Sequence, residues 1–214
     1  ELGRQIVIEN RAGAAGTVGA EIPPHATPDG YTIFACNIAS LAVSPALYKK
    51  LNYDPVAGFA PIGLIGSTAN ALAVHPSVPA RTIAEFIALA KNRPGKINYA
   101  SAGVGTSPQL SMELFLLGVT SSTRHPDLPD VPTIAESGMP GFEVVSWQGL
   151  CTPAAAPEPV RARLRAALAT VLASPETQKQ LADQGMQTTP LLDEKFAAFI
   201  RERAKWKKLV KDVG

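Results

Sequence analysis

Asn98-Tyr-Ala-Ser-Ala-Gly-Val-Gly-Thr-Ser-Pro-Gln-Leu-Ser-Met-Glu-Leu-Phe115 is the stretch on which the fold turns. It reads as a short strand, a Gly-x-Gly turn and a helix. Ser107 is a natural N-cap, Pro108 suits the first helical position, and the residue before a proline avoids helical backbone. Gly103 and Gly105 let the backbone approach a ligand closely. An anion at this point meets free N–H groups, the positive end of a helix dipole and the hydroxyls of Ser101, Thr106 and Ser107. A dinucleotide fingerprint needs a third glycine where Pro108 stands, and a phosphate loop needs Gly-Lys-Ser/Thr, which is absent. No lysine or arginine lies in the turn, so a carboxylate fits better than a doubly charged phosphate. A tight turn with no ligand stays open as the alternative.

Working outward, strands alternate with helices. Residues 5–9, 31–36, 61–65, 71–74 and 144–151 read as strands, the last with Trp147 inside it. Pro23-Pro24 interrupts one helix, and Pro28-Asp29-Gly30 marks a turn. Thr82-Ile-Ala-Glu85 and Thr133-Ile-Ala-Glu136 are two copies of one capping box, in which threonine and glutamate satisfy each other's free N–H groups. Arg93-Pro-Gly95 ends the first helix, and Gly138 stops the second. Residues 158–173 form a helix with Val160, Leu164, Leu168 and Val171 on one side. Ser174-Pro175 opens another helix with Gly185 past its end, and 194–211 is a final amphipathic helix with Phe196, Phe199, Ile200 and Trp206 to bury. The order indicates an α/β fold with a mainly parallel sheet. The Pro/Gly-rich joints at 93–96 and 127–141 are the expected crossings between two lobes.

Composition narrows the function. The 214 residues are 46% hydrophobic and 18% charged with a net charge of +2, enough for a core but no electrostatic case for nucleic acid. The basic run 205–211 fits a solvated helix end. No apolar run approaches a membrane span. Three histidines (His25, His75, His125) show no metal-ligand spacing, and no metal or cofactor is expected. Cys36 and Cys151 read as small buried hydrophobes, with a disulfide as the alternative. No Gly-x-Ser-x-Gly elbow and no acid/base constellation emerges, so an enzyme is not expected. Asn37-Ile-Ala-Ser40 is a polar loop at a strand's C-terminal end, where open α/β sheets bind ligands. For the small-residue segment 10–19, close backbone packing is the preferred reading.

Several segments together resemble one family. They include Val7-Ile-Glu-Asn-Arg-Ala-Gly13, Pro28-Asp-Gly-Tyr-Thr32, Pro45-Ala-Leu-Tyr48, Phe59-Ala-Pro-Ile62, Asn98-Tyr-Ala-Ser-Ala-Gly103, Gly105-Thr-Ser107, Leu128-Pro-Asp-Val-Pro-Thr133 and Pro140-Gly-Phe-Glu-Val144 followed by Ser146-Trp147. Their order and wording are similar to the tripartite tricarboxylate transporter substrate-binding receptors, the Bug family of periplasmic solute receptors. The resemblance runs over nearly the whole chain. It implies a type II periplasmic-binding-protein (Venus-flytrap) fold closing on a small carboxylate: a di- or tricarboxylate, an acidic amino acid or an aromatic acid. It also implies a monomer in the periplasm that hands its ligand to a membrane permease. Ser101, Gly103, Gly105, Thr106 and Ser107 match one ligand loop of that family, and Asn37 and Ser40 fall where another lies. Trp147 is expected to pack first and to neighbour ligand second.

Two departures accompany the resemblance. A strand and a Pro-Gly-Gly-type loop would precede Glu1, and several elements of the second lobe would lie between Phe115 and Val119. The expectation is a chain truncated at its N-terminus and internally deleted. Residues 1–97 and 139–214 would form a largely present lobe 1, and 98–138 an incomplete lobe 2, below the roughly 50 residues of a separate lobe. Two other functions stay open: a non-binding remnant of such a receptor, and a sensory receptor for the same ligands.

Overall fold

The computed structural model describes residues 2–97, 115–189 and 191–201. The chain divides into two compact units, Glu1–Ser67 with Trp147–Gly214, and Thr68–Ser146. The expected joints at 93–96 and 127–141 are instead a helix end and turns inside the second unit. The strand at 71–74 explains the earlier boundary, because its ladder partner begins at Phe115.

In the first unit a single-turn helix, α1 (Thr17–Ala20), precedes strand β1 (Phe34–Asn37). A π-helical turn, Ala39–Val43, and α2 (Ser44–Leu47) follow. Strand β2 is Phe59–Ala69. The second unit holds β3 (Ala71–Val74), α3 (Ile83–Asn92) and β4 (Phe115–Val119). Strand β5 (Val145–Pro153) leads into α4 (Glu158–Ala173), α5 (Pro175–Asp183) and α6 (Asp193–Arg201) of the first unit.

The first unit's sheet has the order β1-β5-β2, with β1 antiparallel to β5. The second unit's sheet is the antiparallel pair β3–β4. A mainly parallel sheet was expected; the pairs β1–β5 and β3–β4 run antiparallel, and an isolated bridge, Val119 to Thr133, is parallel. Pairing joins segments far apart in sequence, so the alternation of strands and helices does not dictate their direction. Residues 5–9 form no strand. Ile6, Val7 and Ile8 are exposed, and a β-prone run without a ladder partner has nothing to satisfy its N–H and C=O groups except water.

Side-chain alternation along β5 sends Trp147 and Cys151 into one apolar cluster and Leu150 into another. The first cluster gathers Leu41, Tyr53, Phe59, Leu64, Phe196 and Ile200. Trp147 stands edge-on to Phe196 at 5.7 Å and to Phe199 at 5.8 Å between ring centroids. Gly149 makes room for this packing. A Cβ there would lie 2.3 Å from the Phe196 ring and 2.8 Å from the carbonyl oxygen of Gly63. The second cluster is Ile62 against Leu164, Leu168 and Leu172 of α4. The buried stripe continues by the i, i+4 step to Leu172, and Val171, expected on that face, is 41% exposed. Helix α6 buries Phe196 and Ile200; Trp206 lies outside the described residues.

The two capping boxes differ. Before α3, Thr82 Oγ1 accepts from the Glu85 N–H at 3.2 Å, while the Glu85 carboxylate takes the Arg81 N–H at 2.6 Å. In the second copy the exchange is reciprocal: Glu136 N–H to Thr133 Oγ1 at 3.0 Å, and Thr133 N–H to the Glu136 carboxylate at 2.8 Å. No helix follows this better-made box. Gly138, at φ 106°, and Pro140 stop the chain after one turn.

Candidate functional site

Strand β1 ends at Asn37, and the chain turns at once into the π-helical turn, a form that recurs at functional sites. Three hydrogen bonds tie Asn37 to Ser40. The Ser40 N–H donates to Asn37 Oδ1 at 2.9 Å, the Asn37 N–H to Ser40 Oγ at 3.4 Å, and the Ser40 hydroxyl to the Asn37 carbonyl at 3.2 Å. Tyr53 donates its hydroxyl to the Ser40 carbonyl at 2.6 Å. Burial, aided by the charge of Glu21, pushes the Tyr53 phenol up to about 12, so it remains a donor. Ser40 is fully buried with its N–H, hydroxyl and carbonyl all engaged. Asn37 is half-buried, and with Oδ1 committed to Ser40 its Nδ2 amide is a donor without a partner among the described residues.

Facing this turn are residues 13–16, within the segment 10–19 for which close backbone packing was expected. Gly13, Ala14, Ala15 and Gly16 all have positive φ, at 134°, 43°, 55° and 86°. Left-handed backbone costs about 1–2 kcal/mol for a residue with a Cβ, so Ala14 and Ala15 hold this path against their preference. Thr17 steadies the loop by donating its hydroxyl to the Ala14 carbonyl at 2.9 Å, and the Gly16 N–H bonds the Gly13 carbonyl at 2.9 Å. A Cβ on Gly16 would sit 3.9 Å from both Asn37 Nδ2 and Ser40 Cβ. The loop and the end of β1 therefore form one small-residue, donor-bearing surface. The signal in the sequence was the Gly13-x-x-Gly16 spacing, but that spacing did not show that the loop lies against Asn37.

Of the residues expected to contact ligand, Asn37 and Ser40 are brought together here. Ser101, Gly103, Gly105, Thr106 and Ser107 lie outside the described residues. Trp147 is buried in the aromatic core. Among the described residues no three His, Cys, Asp or Glu side chains converge on a metal position, and no helix is long and apolar enough to cross a membrane.

Solved structures place this fold among the periplasmic solute-binding proteins. It is similar to a Rhodopseudomonas palustris protein solved with adipate, at TM-score 0.81 and 25% identity over 96% of this chain and 85% of that one. It is likewise similar to the periplasmic binding protein BugD, at TM-score 0.79 and 28% identity over 99% and 87%. The family follows from the sequence match: the tripartite tricarboxylate transporter family receptor model matches residues 1–116 and 113–214, and the chain belongs to that family. A curated relative, a UPF0065 protein encoded between tcbD and tcbE in a Pseudomonas species, is 31% identical over 98% of this chain and 77% of its own length. That alignment spans 259 residues, so the relative carries segments within the aligned region that this chain lacks. The break between the two family matches, at 113–116, falls where the second lobe was expected to be shortened.

Proposed function

We propose that the protein is a periplasmic receptor that captures a small carboxylate and presents it to the membrane permease of a tripartite tricarboxylate-type transporter. It acts as a monomer, by binding and not by catalysis. One observation carries the ligand class: a structure of the same fold and at 25% identity holds adipate, a dicarboxylate. The family's own description as a tricarboxylate transporter receptor agrees with it.

In this reading the unpartnered Nδ2 of Asn37 donates to a carboxylate oxygen, with Ser40 and Tyr53 holding Asn37 in place from behind. On the family resemblance, Ser101, Gly103, Gly105, Thr106 and Ser107 are further candidate ligand residues. The carboxylate exchanges its water shell for fixed neutral donors. Such hydrogen bonds to a charged group are worth about 1.5–3 kcal/mol each.

Titration with adipate, malate, citrate, glutamate and benzoate, followed by melting temperature and tryptophan fluorescence, tests the reading. Saturable stabilisation by at least one acid is expected. No response to any acid would favour a second reading, a non-binding remnant, which the break in the family match at 113–116 supports.

A further inference from the structure

Cys36 and Cys151 are the chain's two cysteines, and the fold brings them together across 115 positions of sequence. Cys36 lies on β1 opposite Gly149, and Cys151 lies on β5 opposite Phe34. They are diagonal neighbours two residues apart in register, on the same face of the sheet. Their sulfurs are 2.8 Å apart, and the residues are 1% and 0% exposed within the aromatic core of the first unit. Among the described residues no lysine, arginine or histidine is buried, so none lies in the core to make either sulfur a reactive thiolate. Burial, and then the hydrogen bond to Cys151, pushes the Cys36 thiol well above its ordinary value.

We propose that Cys36 and Cys151 are oxidised to a disulfide that staples β1 to β5, and that the bond forms before the core closes. With glutathione disulfide as oxidant the exchange balances. The thiolate of one cysteine attacks the glutathione disulfide and expels one glutathione. The thiolate of the other then attacks the mixed disulfide, closing the protein S–S bond and expelling the second glutathione. The protein gives up two protons and two electrons, and one glutathione disulfide becomes two glutathione thiols. Neither sulfur is open to attack in the folded unit, so oxidation belongs to the unfolded or partly folded chain, and the finished bond is shielded from reductant. Asn37 follows Cys36 directly, so the staple also anchors the end of β1 that carries the candidate ligand donor. The inference does not depend on ligand binding.

The test is to refold the fully reduced chain in a glutathione/glutathione disulfide buffer, trap free thiols in denaturant, and measure intact mass and linked peptides. The expected product is monomeric, two hydrogens lighter than the reduced chain, with no titratable thiol and with the Cys36 peptide joined to the Cys151 peptide. Two free thiols, glutathione adducts or intermolecular dimers as the main product would overturn the proposal. Thermal melts add a second measurement. The oxidised protein is expected to melt at least about 5 °C above the same protein refolded with reductant. The Cys36→Ala/Cys151→Ala variant should show no such dependence on reductant. Equal melting of oxidised and reduced wild type would overturn the stapling role.

Discussion

In the first unit, Trp147, Phe196 and Phe199 interlock beside Leu41, Tyr53, Phe59 and Leu64, and a second apolar layer of leucines lies along α4. Among the described residues of the second unit, the buried apolar cluster is Val74, Ile83, Leu117 and Ile134. Polar ties surround it. Asn70 and Thr120 exchange two hydrogen bonds at 2.9 Å, Thr133 and Glu136 cap each other, and Arg124 pairs with Glu136 at 3.0 Å. Arg81 lies over the Phe115 ring at 3.8 Å. Among the described residues, then, the first unit packs two apolar clusters and the second packs one, ringed by local hydrogen bonds and capped turns. Buried apolar contacts are costly to lose, whereas a single exposed polar tie is worth little more than 1 kcal/mol.

The largest effect should come from emptying the aromatic core. Phe196→Ala is expected to cost about 3–5 kcal/mol, measured by denaturant unfolding with tryptophan fluorescence. Adding volume to the same place should cost less. Gly149→Ala drives a methyl into the Phe196 ring and the Gly63 carbonyl, with about 1–3 kcal/mol expected by the same method. In the second unit, Thr133→Ala removes one side of the reciprocal cap and should cost about 1 kcal/mol, seen as faster hydrogen exchange at the Glu136 amide. If Thr133→Ala proved as damaging as Phe196→Ala, the contrast between the units would fail.

The smallest expected effect depends on pH. The Thr133 N–H, and then Arg124, hold the Glu136 carboxyl below its usual range. Its contribution is therefore complete above the ordinary carboxylate pKa and disappears as pH falls through that range to the lowered folded value. Glu136→Gln should flatten the slope of stability against pH in the acid limb, with a small loss of stability at neutral pH that vanishes at low pH, as read from melts across an acid series. An unaltered slope would mean that Glu136 does not contribute through its charge.

The two Thr-Ile-Ala-Glu segments show how far the fold could be read from sequence. Both boxes were legible as helix starts, yet one opens a ten-residue helix and the other a single turn. The difference lies downstream: Phe86, Ile87 and Ala88 continue a helix, whereas Gly138 and Pro140 end it. Helix α4 could be read to its limits because a terminal proline, a leucine stripe and a Ser-Pro stop agree. Strand pairing could not, since the partner of β1 is a segment more than 100 positions away. Residues 5–9 carry a strand's composition, but composition cannot supply a ladder partner. At the candidate site, the polar ending of β1 pointed to Asn37. That Ser40 and Tyr53 would lock its carbonyl side and leave its amide free depends on a buried hydrogen-bond arrangement with no sequence signature. The facing loop at 13–16 was hidden for a related reason: two successive alanines with positive φ oppose their own preference.

Calorimetric titration of the wild type and of Asn37→Asp with adipate is the most direct test of the receptor reading. The aspartate keeps an oxygen for the Ser40 N–H but replaces the free amide donor with a like charge. The expected result is saturable one-site binding by the wild type and an affinity at least about tenfold weaker in the variant, with similar melting temperatures. Equal affinity in the two proteins would contradict the role given to Asn37, and absence of binding by the wild type, repeated across the acid panel, would contradict the receptor function itself.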